Sequence, residues 1–148
     1  MTAKEYLLQY RRALERIRQI EDQINRLYAE AEVQAKAPKP DIVRGSGRKQ
    51  DRTGDIAVRI ADRNRKLSEM RITAVSVLSE VATVIDAVPD PTLSRLLYDR
   101  YIGNMDWYEV ARDIDKEVTY TRGRLHGKAI QAIRDILQHN ATNEYDNV

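Results

Sequence analysis

Cysteine is absent from these 148 residues, so no disulfide, thiolate metal site or cysteine nucleophile can exist. A reducing cytoplasm fits that absence. Phenylalanine is absent too and only six glycines are present, which argues against a sheet-rich fold that would want turns and aromatics. No apolar run approaches the roughly 20 residues needed to span a bilayer, and the opening Met1-Thr2-Ala3-Lys4-Glu5 has no apolar signal core. A membrane is therefore not an expected partner. Histidine is limited to His126 and His139, neither at a recognisable spacing from carboxylates. The glycines form neither a P-loop nor a dinucleotide fingerprint. Asp113 and Asp115 read as solvated acids rather than metal ligands. The chain is not expected to be an enzyme, and no cofactor or metal is indicated. A strong charge of one sign is also missing. The net charge is only +2, so any electrostatic reading must come from where the charges sit.

What is present is helix. Charged residues make up 32% of the chain and the mean hydropathy is -0.62, as in long exposed helices. From about Thr2 to Ala35 the spacing predicts one helix, with Thr2 as cap and Glu5 three residues on. Leu7, Tyr10, Leu14, Ile17, Ile20, Ile24, Leu27 and Ala31 follow at steps of three or four, a one-sided apolar stripe. Residues 37–54 break the pattern with Pro38, Pro40, Gly45, Gly47 and Gly54 among Lys39, Arg44, Arg48, Lys49 and Arg52, the composition of a flexible basic loop. A second helix is expected over 55–88. Ile60, Leu67, Ala74, Val81 and Val88 recur every seven residues, with Ile56, Met70, Val77 and Val84 as a second series that only Arg63 interrupts. Two helices of similar length joined by a loop should fold back antiparallel to bury both stripes. Two separate dimerising helices are the alternative, so a homodimer through the hairpin stays open.

Val88-Pro89-Asp90-Pro91 marks the clearest boundary, because Pro89 disfavours helix at Val88 while Asp90 and Pro91 suit a new helix start. Three shorter helices follow: about 91–101, about 107–115 with Asp106 and Glu109 as a capping box, and about 119–139 with Thr119 as cap. The fold class is therefore all-α: a long antiparallel N-terminal helical hairpin over 1–88, then a small three-helix helix-turn-helix unit over 89–139. Residues 140–148 read as a disordered tail.

The last of these helices carries the chemistry. Leu125, Ala129, Ile133 and Ile136 point one way, whereas Tyr120, Arg124, Gly127, Lys128 and Gln131 point the other. Between Thr119 and His139 there are four cations and one acid. Cations suit phosphate and guanine, an amide suits a base edge, and a glycine permits close approach. Arg122, with Tyr120 and Thr121 at the helix start, completes the candidate DNA-binding set of Tyr120, Thr121, Arg122, Arg124, Gly127, Lys128 and Gln131. A plain solvated helix face would show the same periodicity.

Leu97-Tyr98-Asp99-Arg100-Tyr101-Ile102-Gly103-Asn104-Met105-Asp106-Trp107-Tyr108-Glu109-Val110-Ala111 resembles the RY-x-x-G-x-x-W-x-x-I-A segment of sigma-70 region-4-like proteins. Arg124-Leu125-His126-Gly127-Lys128-Ala129-Ile130 resembles the R-L-H-G-x-A-L signature of their phage-encoded branch. Ala3–Leu7, Asp51–Asp55 and Val84–Asp90 are similar to that branch as well, so the resemblance spans nearly the whole chain. It implies binding of double-stranded DNA through the C-terminal helices. It also implies regulation of phage or prophage genes, often late ones, in the cytoplasm of a bacterial host. One departure stands out: the family has an aliphatic residue three before the Leu of L-H-G, and here that position is Arg122.

Other readings remain beside this one. The hairpin could be the working part of a coiled-coil interaction protein, acting through host RNA polymerase or another protein. A DNA-recognition subunit of phage packaging is a further option. His126 reads as a packing or hydrogen-bonding residue, and Trp107 as core. Residues 44–71 hold nine cations and four acids, which fits either a phosphate-tracking arm or an ordinary charged connector.

Overall fold

The computed structural model describes residues 1–36 and 52–147, and all regular structure among them is helical. In chain order the elements are α1 (Ala3–Lys36), α2 (Arg52–Asp86), α3 (Pro91–Leu97), α4 (Trp107–Asp113), α5 (Val118–Tyr120) and α6 (His126–Asp146). α3 runs on into a π-helical turn, Tyr98–Ile102, and a second π-helical turn, Thr121–Leu125, joins α5 to α6. No described helix is long and apolar enough to cross a membrane. The expected all-α architecture, a long helix pair followed by shorter helices, is the observed one.

The loop expected over 37–54 lies outside the described residues except for its last three. Those already belong to α2, which starts at Arg52 and places Asp55 in its first turn, where the positive end of the helix dipole favours an acid. The α1 start is capped as its sequence suggests. The Glu5 carboxylate accepts from the Thr2 amide at 2.7 Å, and the Glu5 amide donates back to the Thr2 hydroxyl at 3.2 Å.

The chain divides into two units, and their border is not the one expected at Val88-Pro89. The first comprises residues 1–14 and 73–148, the second residues 15–72. The Pro89 turn is real, since α2 stops at Asp86 and Asp90 caps α3 by accepting from the Thr92 and Leu93 amides at 2.9 and 3.3 Å. It does not separate two cores, however. Ala3 and Leu7 of α1 and Val81, Val84, Ile85 and Val88 share one apolar cluster with Leu96, Leu97, Val110, Leu125, Ala129 and Ile133. The end of the helix pair is thus the floor on which the C-terminal helices stand. Ser94 adds a hydroxyl bond to the Ile85 carbonyl (3.1 Å), and Arg11 one to the Arg100 carbonyl (2.8 Å).

In the second unit Ile20, Ile24 and Leu67 are buried, with Ile17 and Met70 against them, and Arg71 reaches Glu21 at 3.1 Å. Leu27 lies by Arg59–Glu69. Residue numbers rise on α1 as they fall on α2, so the two helices run antiparallel.

The tail expected over 140–148 is a second correction, because α6 continues to Asp146. That stretch is exposed throughout and packs on nothing, so its helicity is local. Once a helix is nucleated, each further turn is cheap. Here the Thr142 hydroxyl bonds the Gln138 carbonyl (3.0 Å) and Asn143 bonds His139 (3.1 Å).

The first π-helical turn explains Gly103. The Gly103 amide bonds the Tyr98 carbonyl at 2.9 Å, and a Cβ there would sit 2.9 Å from the Asp99 carbonyl oxygen. Backbone cannot move aside as a side-chain tip can. Gly103→Ala should therefore lower stability by roughly 1–2 kcal/mol. Urea unfolding reads this directly, and a variant as stable as the parent would show that the turn has slack.

Candidate nucleic-acid interface

The segment from Asp113 to Gln131 is shaped by caps and one wide turn. α4 opens on a reciprocal box in which Asp106 and Glu109 each bond the other's amide at 2.9 Å. It closes with the Lys116 amide on the Ala111 carbonyl (3.0 Å) and Asp115 at φ 55°, the left-handed position such helix ends require. The next helix is not capped by Thr119. Glu117 does this, its carboxylate accepting from the Thr119 and Tyr120 amides at 3.1 and 3.2 Å. Bonding to the Thr119 amide holds the Glu117 carboxyl below its usual range.

The π-helical turn Thr121–Leu125 then sets which residues face out. An extra residue in one turn carries the buried series back four places from Leu125 instead of three. Thr121, Leu125, Ala129 and Ile133 line the inside in steps of four. This corrects one member of the candidate set. Thr121 is fully buried and its hydroxyl donates to the Glu117 carbonyl at 2.8 Å, so it is not available to a ligand. The same turn accounts for Arg122. The core place that a regular helix would give it is filled by Thr121, and Arg122 is exposed.

The other candidates share the outer surface. Arg122, Arg124, Gly127, Lys128 and Gln131 are exposed, and Tyr120 is 38% exposed. No carboxylate among the described residues pairs with Arg122, Arg124 or Lys128. Gln131 is less open, because its amide donates to Asp135 (2.9 Å) while its oxygen accepts from Arg134 (2.8 Å).

Sequence reasoning missed Gly123. It lies one turn before Gly127 on the same surface, and a Cβ at either position would meet nothing within 4 Å. Neither glycine has a positive φ. Packing and backbone conformation therefore ask for glycine at neither place, although each costs helix stability of about 1 kcal/mol relative to alanine.

Beside this face, Arg100, Asp106, Trp107, Tyr108, Val118, Thr119 and Arg122 line an open groove of about 440 Å³. Arg100 lies 4.7 Å from the Trp107 ring centroid and donates to the Met105 carbonyl at 2.8 Å. Behind it, His126 meets Trp107 edge-on at 4.8 Å and lies 2.7 Å from the Tyr101 hydroxyl. Burial, then Lys4 and Arg100, lower the His126 pKa to about 4, so the ring is neutral at physiological pH. It joins the packing there, whereas Trp107, expected in the core, is only partly buried. No family model, no curated protein and no solved structure matches this chain.

Proposed function

We propose that the chain is a sequence-specific, double-stranded-DNA-binding regulator of phage or prophage transcription, with α5, the π-helical turn and α6 entering the major groove. The observation that carries the reading is the bare strip made by Gly123 and Gly127, flanked by the unpaired cations Arg124 and Lys128. A helix face that gives up stability for smoothness, with no partner inside the molecule, suits close approach to something outside it. The flanking charges suit phosphate and guanine. The order α4, short turn, longer helix matches a helix-turn-helix, and the resemblance to sigma-70 region-4-like proteins points the same way. Arg124 is assigned to base edges, with Gln131 joining it by exchanging Asp135 and Arg134 for a base. Arg122 and Lys128 anchor phosphate.

A mobility-shift titration on promoter-region DNA of the host prophage, with and without RNA polymerase, tests this. Arg124→Ala with Lys128→Ala should weaken binding roughly tenfold. It should also flatten the dependence of log affinity on log salt by about 1.8, near 0.9 per lost phosphate contact. Gly123→Ala with Gly127→Ala should raise the melting temperature yet weaken binding, since the methyls face the groove. Unchanged affinity and slope in both pairs would overturn the assignment. A shift seen only with polymerase would favour the protein-partner reading.

A further inference from the structure

We infer that the second unit carries its own docking surface for the phosphate backbone of duplex DNA, built from Arg59, Arg63 and Lys66 on α2. The duplex is taken from the reading above, but the surface is separate from the α6 face and rests on different residues.

Arg63 is where the argument starts. It stands in the every-seventh series Ile56, Arg63, Met70, Val77, Val84, the inner stripe of α2. Ile56 and Val84 are buried and Met70 and Val77 partly so, whereas Arg63 is exposed. An apolar residue there would extend the stripe, and a cation in a helix-pairing position gives up that packing. What it leaves is an open groove of about 560 Å³, lined by Leu27 of α1 and by Arg59, Asp62, Arg63, Arg65, Lys66 and Glu69 of α2.

The charges there are unequal in their freedom. Asp62 is matched by Arg65 at 3.7 Å, and Glu69 has a partner of its own. Arg59, Arg63 and Lys66 carry no ion pair among the described residues. Steps of four and three place them on one helix face. At 1.5 Å rise per residue they span about 10 Å of axis, a length over which a duplex carries about six phosphates. Evenly spaced cations at one-turn intervals match a regular line of charge, and guanidinium forks suit phosphate oxygens. An acidic peptide would bring its carboxylates at irregular spacing, and the two acids on the groove would oppose it wherever its own charges fell out of step.

Backbone contacts do not depend on sequence, so the probe is a labelled mixed-sequence duplex of about 30 base pairs, titrated into the full chain over a range of KCl. Arg59→Ala/Arg63→Ala/Lys66→Ala should lower affinity about tenfold and reduce the salt slope by about 2.7. Arg63→Leu guards against misfolding. It should raise the melting temperature by completing the stripe, while reducing the slope by about one. The Arg124/Lys128 alanine pair runs in parallel. If that pair weakens binding and the α2 variants do not, this inference fails and the α6 reading stands. If only the α2 variants weaken it, the α6 reading fails and this one stands. A parent that ignores the duplex but binds poly-glutamate through Arg59, Arg63 and Lys66 overturns the inference, because the occupant is then an acidic protein.

Discussion

Replacing Asp99 by Asn should raise stability at pH 7.5 by roughly 2 kcal/mol, about 4–8 °C in melting temperature for a chain of this size. Asp99 is 4% exposed on the π-helical turn after α3, and its Oδ2 has no hydrogen-bond partner. Arg95 offers only a long 3.8 Å approach, because its guanidinium is committed to Asp113 by bonds of 2.7 and 3.1 Å. Burial first, then the facing Asp113, push the Asp99 pKa up to about 6. Asp113, held by Arg95, moves the other way. A proton on Asp99 removes a buried charge and lets Oδ2 donate towards Asp113. The group holds its proton more tightly folded than unfolded. Its contribution is therefore complete below its ordinary pKa of 3.8 and is lost as pH rises through about 6. At neutral pH the parent carries an ionised, half-satisfied carboxylate, whereas the variant carries a neutral donor of the same shape. The gain should shrink towards zero near pH 4. Equal melting temperatures for parent and variant at pH 7.5 would mean that Asp99 is better solvated than its burial implies.

The parts of the fold that were legible in the sequence are those fixed by period. Ile20 and Ile24 on α1, and Leu67, Ala74, Val81 and Val88 on α2, are buried as their spacing demands, and the caps at Thr2, Asp90 and Asp106 close as written. What periodicity cannot register is a change of period. The turn at Thr121–Leu125 adds a residue, so a wheel turned at a constant angle carries Arg122 towards the core and leaves Thr121 outside, the reverse of the structure. A hint was present in Thr121, Leu125, Ala129 and Ile133, small or apolar residues in uninterrupted steps of four. The unit border was hidden for a different reason. Pro89 breaks the backbone, but a core is defined by who touches whom, and Leu7 meeting Leu96 and Ile133 is a long-range fact. Gly123 was passed over because a glycine without packing or conformational duty is recognisable only when the surrounding space is known.

His126→Phe should cost about 1–3 kcal/mol at neutral pH, and this cost should fade on the acid side. Phenylalanine can keep the edge-on packing against Trp107, but it leaves the Tyr101 hydroxyl, on a side chain only 3% exposed, without the nitrogen 2.7 Å away. The pH dependence follows from what surrounds the ring. Burial, Lys4 and Arg100 all disfavour a second proton, and together they lower the His126 pKa from 6.5 to about 4. Its contribution is thus present above 6.5 and is lost as pH falls through about 4. Asp99 acts in nearly the same window with the opposite sign. Between about pH 4 and 6 the parent loses stability at His126 on acidification while gaining it at Asp99, so its urea midpoint should stay nearly level there. Asp99→Asn should uncover a midpoint that falls on acidification, and His126→Phe one that rises. The double variant should be level again. If the midpoint of the His126→Phe protein instead runs parallel to that of the parent from pH 7 to 4, the imidazole titrates alike in both states and this account of the core around Tyr101 is wrong.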